Sequence, residues 1–231
     1  MQLGKLILTA KARIAVAISD KEDNHNIMAQ RPDALELRVD LFMRHDVDYV
    51  RQHIVRVRRT GLPLILTIRN DKAEGGQGHI ANEDKLKIFQ SVIKLVDAVD
   101  IELSSPLLKD VITLARRHKK RSIVSWHNFQ RTPPDAVLKT ALLKAKSRGG
   151  DIVKIAAKAK SLKDVARLMA FTYTNRKYHL ITMSLGATGS ISRLAFPMAG
   201  SLLTYSYIHK PTAPGQVPVK ALREDLKRYG L

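Results

Sequence analysis

The chain of 231 residues has no cysteine. Disulfides are therefore excluded, and a reducing cytoplasm is the expected location. Aromatic residues make up only 5%, which leaves few side chains for stacking bases. Acids are scarce beside bases: 21 Asp and Glu stand against 40 Lys and Arg, for a formal charge of +19. No apolar run reaches the roughly 20 residues that a membrane-spanning helix requires. The opening "MQLGKLILTAKAR" is too short for a signal core and is not followed by a small-residue cleavage site. Neither a linker nor a repeat nor a low-complexity stretch interrupts the sequence. Apolar residues are plentiful, at 45%, enough for a sizeable core. A single domain over residues 1–231 is expected. The charge fits nucleic acid, an anionic membrane or an anionic substrate, and does not by itself choose between them.

The apolar spacing alternates in kind along the chain. Buried strands are expected at 13–18, 34–42, 62–69, 98–103, 121–126, 151–157, 178–184 and 201–208. Helical spacing appears at 45–59, 82–96, 106–120, 133–150, 161–175 and 219–229. Asn82 and Ser161 read as helix caps, and the paired glycines at 149–150 read as a helix stop. Eight short apolar strands separated mostly by helices point to a closed (β/α)8 TIM barrel. An open doubly wound sheet is the alternative, but no G-x-G-x-x-G turn follows the first strand.

In such a barrel the chemistry sits at the C-terminal ends of the strands. Ionisable residues gather there: Glu36, Arg38 and Asp40 at spacing two, then Arg69, Glu102, His127, Lys154 and, beyond the seventh strand, Arg193. Each has an ordinary reading. Glu36 and Arg38 could be a structural ion pair, Glu102 could hold Lys154 or a backbone group, and His127 could be a capping or packing residue. Their coincidence at one mouth favours a site. Lys154, in "DIVKIAA", is the most telling. An ammonium in an apolar pocket near arginines is expected to have a lowered pKa, and a neutral amine attacks ketones to form an imine. His127, one strand away, would then remove a proton from the carbon next to the imine. The arginines would hold an anionic substrate.

The segments "LELRVDLF", "ILTIRN" with "EGG", "VDIEL", "IVSWHNFQRTP", "DIVKIA", "ITMSLGATGSISRLA" and "APGQ" follow one another in an order that resembles the type I 3-dehydroquinate dehydratases. The resemblance runs from about Arg13 to the C-terminus. It implies a (β/α)8 barrel that dehydrates 3-dehydroquinate to 3-dehydroshikimate in the shikimate pathway, without cofactor or metal, as a cytoplasmic homodimer. It implies that Lys154 forms the imine at the C3 ketone, and that His127 takes a C2 proton and helps the C1 hydroxyl leave. Glu74 is then the glutamate near the histidine. Arg193 holds the carboxylate, while Glu36, Arg38, Arg69, Thr212 and Gln216 bind substrate. Asn128 stands where the family often has Asp, and Thr212 where it commonly has Ser. The glycine-rich stretch at 75–78 reads as a mobile lid beside Glu74, and "GATG" at 186–189 reads as serving a carboxylate rather than a phosphate.

Two rivals remain at this stage. A class I aldolase would share Lys154 without needing His127 and Glu36–Arg38. A basic nucleic-acid binder would use "RRHKKR" (116–121), but that run closes a helix on the face away from the expected site. No specific nucleic-acid or membrane partner is expected.

Overall fold

The computed structural model describes residues 1–8, 11–76 and 80–231. A short antiparallel hairpin, Gln2–Leu3 with Leu6–Ile7, comes first. Eight β/α units follow. The strands are β1 (Ile14–Ile18), β2 (Ala34–Arg38), β3 (Leu64–Thr67), β4 (Ala98–Glu102), β5 (Arg121–Asn128), β6 (Ile152–Lys158), β7 (Leu180–Leu185) and β8 (Thr204–Ser206). The helices after them are α1 (Asn24–Gln30), α2 (Val47–Arg58), α3 (Asn82–Val92), α4 (Leu108–Arg117), α5 (Asp135–Ser147), α6 (Leu162–Asn175), α7 (Ser192–Ala195) and α8 (Val219–Arg228).

The eight strands form one parallel sheet in the order β8-β1-β2-β3-β4-β5-β6-β7. The seam between β7 and β8 is bridged by Leu202 N–H donating to Leu180 O at 2.8 Å rather than by a regular ladder. The barrel is thus nearly closed, and every strand points its C-terminal end the same way.

Strand alternation divides the core in two. Outward residues such as Val153, Ile155 and Ala157 pack against the helices. Inward residues such as Ala15, Ala34, Ala98, Ile123 and Ile152 fill the lower barrel, where Leu3 of the hairpin joins them. Small alanines there leave room for the hairpin's leucine. Each fully buried aliphatic side chain contributes about 1.5–3 kcal/mol.

The expected elements form, with instructive differences. Ser161 caps α6, accepting from Asp164 N at 3.4 Å. Asn82 does not cap α3: it lies inside the first turn, Ala81 takes the cap position, and no side chain caps it. The expected strand at 34–42 stops at Arg38, because Val39–Leu41 turn into a 3-10 helix. Helices α1 and α7, and the hairpin, were not expected from the periodicity; all are too short to show it. "RRHKKR" spans the end of α4 and the start of β5, at the N-terminal ends of the strands.

Candidate active site

Lys154 sits on the inner face of β6, between the inward Ile152 and Ala156. It is 4% exposed. Its Nζ donates to Glu36 Oε1 at 2.8 Å and Asp100 Oδ2 at 3.2 Å, and lies 4.1 Å from the centre of the Tyr205 ring. Glu36, on β2, also accepts from Thr67 Oγ1 at 2.8 Å. Asp100, on β4, accepts from Arg69 at 2.7 Å and from Ser125 Oγ at 2.7 Å. Side chains of β2, β4 and β8 thus surround one nitrogen.

This corrects the expectation of a lowered lysine pKa. Burial opposes the charge, but Asp100 and Glu36 outweigh it, and the Lys154 pKa is raised above the ordinary range. Asp100, despite burial, is held well below the usual carboxylate range by Lys154 and Arg69. The pocket is built around a cation at Nζ.

His127 lies on β5, next to β6. Ser125 pairs with Lys154 across the ladder, and His127 pairs with Ala156. The imidazole therefore stands one inward layer above the lysine, toward the mouth. Its Nδ1 is 2.9 Å from Glu74 Oε2. Burial, then the charges of Arg69 and Lys154, hold the His127 pKa well below its ordinary value, so the ring is neutral. Burial pushes Glu74 up to about 7 against the pull of Arg69, whose guanidinium is 3.6 Å away. A carboxylate can only accept, so the ionised Glu74 places the ring proton on Nδ1 and leaves Nε2 free as a base.

Glu36 and Arg38 do not pair with each other, as the structural alternative would have it. Arg38 instead grips Asp40 through Nε (2.9 Å) and NH2 (2.7 Å), a two-pronged geometry, and donates to Gly75 O at 3.2 Å. Glu102 holds a backbone group, the N–H of Asn70 at 3.0 Å, but its cation is Lys85, also at 3.0 Å, and not Lys154. Gln216 folds back on its own loop: its Oε1 accepts from Thr212 N at 2.7 Å and Ala213 N at 3.2 Å. Asn128 Oδ1 accepts from the N–H groups of Gln130 and Arg131, which shapes the turn after β5. Of the expected lid, Gln77 and Gly78 lie outside the described residues, and Gly75 packs its Cα against the Phe129 ring, where a Cβ would come within 2.9 Å.

Glu36, Arg38, Arg69, Glu74, His127, Lys154, Thr212 and Gln216 line one cavity of about 40 Å³. Tyr205 and Met183 complete its wall. A groove of about 630 Å³ adjoins it at Thr212. Arg193, the ninth expected residue, does not line the cavity. It is 1% exposed on α7, and its three guanidinium nitrogens have no hydrogen-bond partner among the described residues. Burial alone lowers its pKa to about 10. Sequence reasoning missed Asp100, Ser125, Thr67 and Tyr205. Asp100 carried a signal: like Lys154, it is a charge at the centre of a buried strand.

Among the described residues, no group of three or more His, Asp or Glu side chains could hold a metal ion, and no helix is long and apolar enough to cross a membrane.

Residues 14–230 match the family model described as type I 3-dehydroquinase. A 3-dehydroquinate dehydratase of Hydrogenobaculum sp. is 39% identical over 212 residues, covering 91% of this chain and 95% of the relative. The crystal structure of the 3-dehydroquinate dehydratase of Aquifex aeolicus superposes with a TM-score of 0.84 at 38% identity, covering 95% of this chain and 100% of that one. A type I enzyme from Clostridium difficile, solved with covalently modified comenic acid, superposes with a TM-score of 0.89 at 28% identity, covering 99% and 96%. With its eight-unit barrel and this match over almost its whole length, the chain belongs to the type I 3-dehydroquinase family, the 3-dehydroquinate dehydratases.

Proposed function

We propose that the chain removes water from 3-dehydroquinate through an imine on Lys154, giving 3-dehydroshikimate for the shikimate pathway. The observation that carries this is the buried Lys154 between two carboxylates, with a neutral His127 one layer above. Glu36 and Asp100, in hydrogen-bond contact with Nζ, are placed to take its proton as the amine attacks the C3 ketone. Loss of water from the adduct gives a protonated imine. Its positive charge lies on the same nitrogen, so Asp100, Glu36 and the Tyr205 ring stabilise it as they stabilised the ammonium. The raised lysine pKa thus belongs to a site preorganised for the cationic intermediate.

The imine withdraws electrons and acidifies C2–H. His127 Nε2 takes that proton, and the electron pair forms an enamine. The enamine expels the C1 hydroxyl, which leaves as water with the proton carried by His127. Hydrolysis then frees the conjugated ketone and Lys154. One water is released in forming the imine and one is consumed in breaking it, so the net loss is the water from C1 and C2.

Arg193 fits the carboxylate. An unpaired buried guanidinium costs several kcal/mol, and a planar carboxylate meets it with two parallel bonds. The cavity of about 40 Å³ has room for little more than water, so substrate entry displaces its walls. Arg193→Ala is expected to raise KM strongly, by the equivalent of about 2–5 kcal/mol in binding. Substrate titration of the purified variant checks this, and an unchanged KM rejects the clamp.

The rate should also depend on pH through Glu74. Its pKa is raised to about 7, so the carboxylate is present above that value and lost below it. Once protonated, Glu74 donates to Nδ1, the ring proton moves to Nε2, and the base is gone. A profile of kcat against pH should therefore fall on the acid side of about 7, and this limb should be absent in Glu74→Gln.

The reading as a whole is tested by adding 3-dehydroquinate and following the absorbance of the conjugated enone. No growth of absorbance rejects it, and would favour an aldolase if borohydride still traps a ketone substrate on Lys154. A cytoplasmic homodimer belongs to the same proposal and is supported by the family resemblance; sedimentation at working concentration tests the dimer.

A further inference from the structure

Lys85 is 2% exposed on α3, where the other buried side chains are Ile88, Phe89 and Val92. The reaction above has no use for it. Its Nζ donates to Glu102 Oε2 at 3.0 Å, and Glu102 Oε1 accepts the backbone N–H of Asn70 at 3.0 Å. Asn70 then reaches across to Ile80. Its Nδ2 donates to Ile80 O at 2.6 Å, and its Oδ1 accepts from Ile80 N at 3.2 Å. A side-chain amide thus imitates a strand partner and ties residue 70 to residue 80.

Between those ends lies Glu74. The chain from Asp71 to Gly76 is a compact turn: Asp71 Oδ1 accepts from Ala73 N at 2.8 Å, and Gly76 N donates to Asp71 O at 2.9 Å. Gly76 is required there, since a Cβ would come within 2.7 Å of the Asn70 carbonyl carbon. The turn therefore rests on Asn70, and Asn70 rests on the buried Lys85–Glu102 pair. At the far end of the turn, Glu74 meets His127 Nδ1 at 2.9 Å.

We infer that Asn70, anchored by Lys85 and Glu102, is a positioning residue that fixes Glu74 against His127 and so aims the imidazole at the C2 proton. This rests on the reading that His127 carries that proton. A buried ion pair adds little net stability over a well-packed apolar pair, so stability gives weak reason for a lysine at this place. Geometry gives a stronger one, because a misplacement of about 1 Å far from the chemistry can cost on the order of 10²-fold in rate.

The groups facing Glu74 are Arg69 at the end of β3, His127 on β5, Asp100, Glu102 and Ser104 from β4 and the loop after it, and Asp71 of its own turn. Loosening the turn admits water to Glu74. Its pKa then falls from about 7 toward the ordinary carboxylate range, and the acid limb of kcat follows it to lower pH.

The experiment uses Asn70→Ala in the full chain. The expected result is a fall in kcat of about 10- to 100-fold, KM within about threefold of the parent, and an acid limb displaced to lower pH. Borohydride trapping at Lys154 should match the parent. A kcat within about threefold of the parent with an unmoved limb overturns the inference. So does a parallel loss of kcat, substrate affinity and trapping, which marks general damage to the barrel. If Asn70→Ala does not fold, Asn70→Ser removes the Nδ2 donor to Ile80 O without adding a charge, and is judged on the same readouts. A parent enzyme that forms no Lys154 adduct rejects the imine reading itself, a result separate from any Asn70 outcome.

Discussion

Lys154→Ala should lose turnover on the order of 10⁶-fold, the scale seen when a covalent nucleophile is removed. No neighbour can replace it. Lys158 is exposed at the end of β6, Lys160 lies beyond that end, and Lys85 is committed to Glu102 at 3.0 Å. The variant also leaves Glu36 with only Thr67 as a hydrogen-bond partner, beside Asp100. Removing one member of a buried pair costs about 3–5 kcal/mol, so the melting temperature should fall as well. Rates must be read well below that transition. Turnover retained by a folded Lys154→Ala enzyme would reject imine catalysis.

His127→Ala should behave differently. The carboxylates around Nζ are untouched, so the amine can still attack the ketone and the adduct can still be trapped, though more slowly if the ring also moves protons during imine formation. Turnover should drop by about 10²–10⁴-fold, the usual loss on removing a general acid–base group. The two variants separate the roles: one residue creates the electron sink and the other moves the proton. A fully active His127→Ala enzyme would remove the histidine from the mechanism.

The barrel was legible because its signal is repeated. Eight apolar strands interleaved with helices of one to four turns leave few other architectures, and an error of a few residues at any boundary does not change the count. The site was legible for a related reason. Most charges at the C-terminal ends of the buried strands face the mouth, and Lys154 and His127 sit on inward positions fixed by strand alternation.

What the sequence hid was pairing. Lys154 and Asp100 are 54 residues apart and lie on β6 and β4, so neither predicts the other from local spacing. With Asp100 overlooked and Glu36 not placed beside Nζ, the lysine was read in an apolar pocket near arginines, and the sign of its pKa shift came out reversed. Glu102 shows the same limit. It lies two residues beyond Asp100 on the same strand, yet it turns to α3 and Asn70, because β4 ends there and its side chain meets Lys85. Tyr205 was hidden by an ordinary identity: an aromatic in a strand reads as core until a cation is found over its ring. Arg193 was named from its place beyond the seventh strand, with the carboxylate role added by the resemblance, and its unpartnered, buried guanidinium is a property that only coordinates reveal.

The central claim is covalent bonding of substrate to one lysine, and borohydride reduction in the presence of 3-dehydroquinate or its product tests it most directly. The reduced enzyme should be inactive and heavier by one ligand, and peptide mass spectrometry should place the ligand on Lys154. Inactivation without added mass, or a ligand mapped to Lys158, Lys160 or Lys85, would contradict the account.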